Sequence, residues 1–120
     1  MLPKNRRLSF KGISHKLSKA KRINGKYSSL LLINEEEKNL SQFAIVISSK
    51  ISKKAVKRNQ IKRQISSIIR EMLTQIDEGF KAVLLVKKSA ADASFQELEK
   101  STIETFKKSG LLKNTFNENK

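Results

Sequence analysis

From Lys53 to Arg63 the chain reads KKAVKRNQIKR, in which six of the eleven residues are Lys or Arg and none is acidic. Ammonium and guanidinium groups at this density are donors in search of anionic oxygens. Asn59 stands among them, and its amide can both donate to a phosphate and accept from a ribose 2′-OH. A basic run is most often a solvated face or a tail. This one lies in mid-chain and leads into ISSIIREMLTQI, so its cations share a helix with residues made to bury. The chemistry on offer is the binding of a polyanion. Bond-breaking chemistry finds little support. His15 is the one histidine and reads as a surface residue, and the sequence has no cysteine, no Gly-rich phosphate loop and no nucleophile–base arrangement. The acidic run Glu35–Glu37 could attract Mg²⁺ but reads as a solvated loop.

The element that must hold these cations is a helix expected over residues 51–76. Ile61, Ile65, Ile68, Ile69, Met72, Leu73 and Ile76 form its core-facing stripe, with Asn59, Arg63, Ser66 and Arg70 on a neighbouring polar face. Lys54, Arg58 and Lys62 continue the apolar stripe backwards. Buried there, they would be unpaired charges costing several kcal/mol each, so the first two turns must overhang the sheet edge. The overhang would present Lys54, Lys57, Arg58, Asn59, Lys62 and Arg63 together, beside a helix N-terminus with free N–H groups and a positive dipole end.

Around that helix the pattern predicts a small sheet. Residues 28–33 and 42–48 read as strands, and the polar loop NEEEKNLS between them fits an antiparallel pair. Residues 81–88 read as a further buried strand, giving a βαβ unit whose default hand is right. Phe10, Ile13 and Leu17 suggest a short helix over 9–19, Asn24-Gly25 a turn, and Gly79 a stop after the long helix. Ser94 and Glu97 have capping-box spacing before a last helix that carries Phe95, Leu98, Ile103 and Phe106 and ends near Gly110. Residues 1–7 read as a mobile basic arm and 111–120 as a frayed tail. The whole is a single α+β domain spanning 1–120, with helices packed on a small sheet.

Composition sharpens the partner class. The chain has 26 Lys and Arg against 11 Asp and Glu, a formal net charge of +15. Self-repulsion at that charge disfavours the compact state unless a partner offsets it. Nucleic acid is the first candidate, because neutralised phosphates release condensed counterions. An anionic membrane is the weakest, since the apolar residues of the long helix are needed for the core. No apolar run approaches the roughly 20 residues of a membrane span, and the basic N-terminus leads into no signal-peptide core. A cytoplasmic protein is expected, monomeric when free. A ribosome- or nucleoid-associated binder and a small protein-only ribonuclease using His15 stay open at this level.

The segment AVKRNQIKR resembles the signature of the bacterial ribonuclease P protein component, in which Ala-Val, Arg-Asn and Ile-Lys-Arg follow at this spacing. Arg7-Leu8, Gly25-Lys26-Tyr27, Ser49-Lys50, Val86-Lys87-Lys88 and Ser94-Phe95-Gln96-Glu97-Leu98 extend the resemblance over most of the chain. It implies an αβββαβα sandwich, with an additional strand near residues 21–23 and a left-handed βαβ crossover. It implies the protein subunit of a ribonucleoprotein that removes the 5′ leader from precursor tRNA, with catalysis in the RNA through bound Mg²⁺ and no metal held by the protein. The implied contacts to ribonuclease P RNA are Lys50, Lys53, Lys54, Lys57, Arg58, Asn59, Lys62, Arg63 and Arg70. A cleft between the N-terminal helix and the sheet would hold the leader of precursor tRNA, with Lys11, Ile13, Lys16, Leu17, Lys19 and Tyr27 as its candidates. Gln60 stands where the family most often has Arg, Lys53 where it usually has Gly, and Ile13 and Leu17 where aromatic residues are usual.

Overall fold

The structure is a computed structural model that describes residues 2–8, 19–34, 40–47 and 50–112. The helix expected over 9–19 therefore falls almost wholly outside the described residues, as do His15 and the Glu35–Glu37 run. Four strands, β1 (Lys21–Asn24), β2 (Ser28–Asn34), β3 (Gln42–Val46) and β4 (Phe80–Val86), form one mixed sheet in the order β1-β2-β4-β3. Among the described residues two α-helices, α1 (Ala55–Met72) and α2 (Phe95–Ser109), complete the α+β architecture.

Strand order corrects one expectation. β2 and β3 are not neighbours; β4 lies between them, antiparallel to β2 and parallel to β3. Burial decides this. Ala82, Val83 and Leu84 follow one another and all three are fully buried, which requires cover on both sheet faces and partners on both edges. A central position supplies both, and the α1 crossover delivers the chain to it in the parallel sense. The additional strand implied by the resemblance is β1, paired antiparallel to β2 through the turn at Gly25. A Cβ on Gly25 would lie 2.3 Å from Thr105 Oγ1 and 2.8 Å from the Ser28 carbonyl, so α2 can sit against this turn only over glycine.

One sheet face packs beneath the helices. Leu30, Leu32, Phe43, Ala82 and Leu84 meet Ile61, Ile65, Ile68, Ile69 and Met72 of α1, and Leu98, Ile103 and Phe106 of α2. The helix stripes form this core as their spacing requires, with three exceptions. Leu73 falls in the 3₁₀ turn after α1 and is half-buried. Phe95 stays 37 % exposed at the first turn of α2, and Ile76 lies beyond α1, bridged to Leu112. Leu111 and Leu112 are buried, so the chain leaves the core later than the expected tail start. Gly79 lies beyond the 3₁₀ turn Leu73–Gln75 and serves the turn into β4, with φ 92°, in place of capping α1. Residues 2–8 pack along the outer edge of β3, where a free arm was expected. Leu2 is buried, the Leu8 N–H donates to the Phe43 carbonyl at 2.9 Å, and Arg6 Nη1 meets Glu78 Oε1 at 2.6 Å.

The two helices begin in opposite ways. At α2 the capping box forms: Ser94 Oγ accepts from the Glu97 N–H at 3.1 Å and Glu97 Oε1 accepts from the Ser94 N–H at 3.0 Å. Tyr27 donates its hydroxyl to the second carboxylate oxygen at 2.9 Å. The Ser94 N–H first, then the Tyr27 and Ser94 hydroxyls and the Lys26 charge, hold the Glu97 carboxyl below its ordinary value of 4.5. A carboxyl depressed in the folded state stabilises the fold above its unfolded pKa, and that contribution is lost as pH falls through the folded value. Glu97→Gln keeps a capping acceptor without the charge. Its Tm should therefore lag the wild type at neutral pH and converge with it in the acid range below pH 4.5; parallel Tm–pH curves would contradict the assignment.

Candidate nucleic-acid interface

Helix α1 starts four residues later than its periodicity suggested, and Ser52 accounts for the difference. Its hydroxyl accepts from the Lys54 N–H at 3.3 Å, and its carbonyl accepts from Arg58 Nη1 at 2.7 Å. Serine thus offers the backbone a local alternative to helix. Lys54 becomes the N-cap in an extended conformation, with no side-chain cap bond, and the first turn holds no acid. Lys50 and Lys53 consequently lie in the turn before the helix.

This helix end is arranged against its own stability. Cations beside the positive end of a helix dipole are unfavourable by a few tenths to about 1 kcal/mol each, and no cap satisfies the leading N–H groups. The α2 start shows that the same chain can build a capped, acid-bearing end. Lys53, Lys54, Asn59, Lys62, Arg63 and Arg70 are exposed, and Lys57 and Arg58 half-buried. Among the described residues no carboxylate pairs with any of these cations. Asn59, Arg63 and Arg70 share one flank, and Arg70 lies about 10 Å along the axis beyond Arg63 at a rise of 1.5 Å per residue. As the wheel requires, no cation of this segment enters the core.

The Lys54–Arg58–Lys62 row leads to Ser66, and there a groove opens. Lys62 and Ser66 of α1 line one side of a cavity of about 380 Å³ along the β3 edge, opposite Leu2, Arg7 and Leu8. Its floor is β3 itself, including Ala44 and Val46. Those two belong to the second sheet face, where Leu31, Ala44 and Val83 form an apolar cluster joined by Leu8, Ala20, Ile33, Val46 and Leu85. Strand register places Arg22, opposite Leu31, on the same face. Its Nε donates to Asn24 Oδ1 at 3.3 Å, and Asn24 in turn accepts from Ser29 Oγ at 2.9 Å.

The cleft candidates divide. Lys11, Ile13, Lys16 and Leu17 lie outside the described residues. Lys19 is described and exposed, next to Ala20 of the apolar second face. Tyr27 does not belong with them. It is buried on the helix side, bonded to Glu97 and carrying Lys26 Nζ 5.3 Å from its ring centroid. Arg7 and Arg22 were missed as candidates. Period-two alternation through residues 21–24 would have assigned Arg22 to the apolar face had β1 been evident from pattern.

A family model described as Ribonuclease P matches residues 2–110. The chain belongs to the ribonuclease P protein family. The ribonuclease P protein component of a Pseudanabaena species is 36% identical over 99 residues, covering 82% of this chain and 85% of that one. Its Bacillus cereus counterpart is 38% identical over 79 residues, covering 66% and 68%. Solved structures share the fold. The Staphylococcus aureus RNase P protein superposes with TM-score 0.83 at 19% identity, over 91% of this chain and 99% of that one. The Thermotoga maritima RNase P protein gives 0.76 at 23%, over 85% and 96%. As a ribonuclease P protein, the chain is a component of the endoribonuclease holoenzyme that matures tRNA 5′ ends. Its family membership implies ribonuclease P RNA as partner. No helix among the described residues is long and apolar enough to cross a membrane.

Proposed function

We propose that the ribonuclease P protein grips ribonuclease P RNA with the start of α1 and steers the 5′ leader of precursor tRNA through the groove at the β3 edge. The observation that carries this reading is the uncapped, acid-free α1 terminus, whose cation row runs to the rim of the β3 groove. Lys50, Lys53, Lys54, Lys57, Arg58, Asn59, Lys62, Arg63 and Arg70 are its RNA contacts, the cations neutralising phosphates and Asn59 also reaching 2′-OH groups. The groove, with Ile45 and Val46 half-buried in its β3 floor and the exposed Arg7 and Lys62 at its rim, suits an unpaired strand: apolar surface for bases, cations for phosphates. Lys19 is exposed as well and stays a leader candidate. Lys11, Ile13, Lys16 and Leu17 remain leader candidates from sequence. Tyr27 is withdrawn.

Catalysis in this reading belongs to the RNA, which holds Mg²⁺. Among the described residues no group of three or more His, Cys, Asp or Glu is placed to grip a metal ion. The protein lowers the Mg²⁺ requirement by supplying fixed positive charge where RNA and leader phosphates converge. Precursor-tRNA cleavage at low Mg²⁺, with ribonuclease P RNA and with or without the protein, tests this. Cleavage should be strongly enhanced by the protein and absent with protein alone, and His15→Ala should stay within a few-fold of wild type. A loss of several hundredfold, on the order of 3–4 kcal/mol in transition-state stabilisation, would return the chemistry to the protein. The protein should also widen the holoenzyme's preference for precursor over mature tRNA; an unchanged preference would leave it an RNA-scaffolding role.

A further inference from the structure

Three residues on α1, Val56, Asn59 and Gln60, do not fit a phosphate clamp, and they share a row with a cation, Arg63. Val56, Asn59, Gln60 and Arg63 recur at helical spacings of three, four and seven from the first of them, so they form one outward row. All four are exposed, Val56 by 81 %, the most of the three exposed large apolar side chains among the described residues. A β-branched residue in a first helical turn lowers helix propensity, and at this exposure it buries almost nothing in its own chain. The amides of Asn59 and Gln60 have no protein hydrogen-bond partner among the described residues. A phosphate oxygen can only accept, so it would leave both amide carbonyls unused. A base edge with its ribose 2′-OH offers donors as well as acceptors.

We propose that this row reads an unpaired nucleotide of ribonuclease P RNA: Val56 covers the ribose or base face, and Asn59 and Gln60 hydrogen-bond its polar edge. Arg63 closes the row, and Lys54 and Lys62 hold the flanking phosphates. α1 then carries a specificity row beside its affinity row. Gln60, where the family most often has Arg, exchanges a sequence-blind cation for a group that can discriminate. The inference rests on α1 being the RNA-binding element.

The test measures binding of the full chain to ribonuclease P RNA across a salt series, with poly(U) as non-specific competitor. Val56→Ala raises helix propensity and removes almost no internal packing, so a loss of affinity cannot come from unfolding of α1. It should weaken binding by roughly three- to tenfold at every salt concentration with an unchanged log K–log salt slope, because no counterion is released by a methyl contact. Gln60→Arg should steepen the slope by about 0.7–0.9 while poly(U) becomes the better competitor. Lys62→Gln is the control and should flatten the slope by a similar amount. If Val56→Ala binds like wild type while Lys62→Gln flattens the slope, the row faces solvent and the inference fails with the RNA-binding helix intact. If neither variant alters binding, α1 is not the RNA-binding element.

Discussion

Replacing Lys54, Lys62 and Arg63 together with Gln is expected to weaken binding to ribonuclease P RNA severely while making the free protein more stable. Each neutralised phosphate contributes about 0.7–0.9 to the slope of log K against log salt, so three should flatten it by about two to three units. The gap between variant and wild type should therefore be widest near 50 mM salt and shrink roughly 10- to 60-fold by 200 mM. Stability moves the other way. These side chains are exposed and form no ion pair among the described residues. Lys54 is the N-cap itself, and Lys62 and Arg63 are near neighbours on the same helix. Gln is nearly as good a helix former as Lys or Arg, and removing like charge from the positive end of the dipole and from a +15 chain relieves repulsion. Circular dichroism and a thermal melt should show intact helix and a raised Tm. Arg58 is left in place because its guanidinium donates to the Ser52 carbonyl, so its loss would disturb the turn before α1 as well as the RNA contact. An unchanged slope would move the RNA site off α1; a lowered Tm would mean these cations serve the fold.

What sequence revealed and what it hid divide along physical lines. The α1 stripe, the Ser94–Glu97 box and the Gly110 terminus are local: each needs residues within a few positions of one another, so spacing suffices. Gly110 takes φ 83° as the cap of α2, the left-handed conformation that glycine permits. Strand order is not local. The apolar runs at 28–33 and 42–48 would satisfy a hairpin as well as they satisfy a sheet split by β4, and only burial of β4 on both faces breaks the tie. The side that Tyr27 takes is likewise not local, since it is set by Glu97, 70 residues away. The α1 start was misplaced because a serine hydroxyl outcompeted the helix, a side-chain effect that hydrophobic periodicity cannot register. Residues 1–7 read as an arm because charge dominates their composition, whereas residues 2–8 are docked. Their docking depends on Leu2 and on backbone bonds to β3, and backbone bonding has no sequence signature.

Phe106→Ala should have the largest effect on stability, and its consequence for function depends on the RNA. Phe106 is wholly buried in α2 and stacks on Phe43 of β3, ring centroids 6.2 Å apart and 23° from parallel. Truncating such a ring costs about 3–5 kcal/mol through lost transfer energy and the cavity left behind, against a total of about 5–15 kcal/mol for a typical domain. That corresponds to a fall in Tm on the order of 10–25 °C for a chain of this size. Self-repulsion among 26 cations should make the variant weakest at low salt, where it should be largely unfolded by circular dichroism. RNA that binds the folded state alone stabilises it by about 2.7 kcal/mol at one hundred times its Kd, recovering most of the loss. The variant should thus melt early when free yet support precursor-tRNA cleavage when ribonuclease P RNA is in large excess. Phe43 also floors the β3 groove, and its carbonyl holds the Leu8 N–H. If excess RNA restored the helical signal but not cleavage, the ring pair would be shaping the groove as well as stabilising the fold.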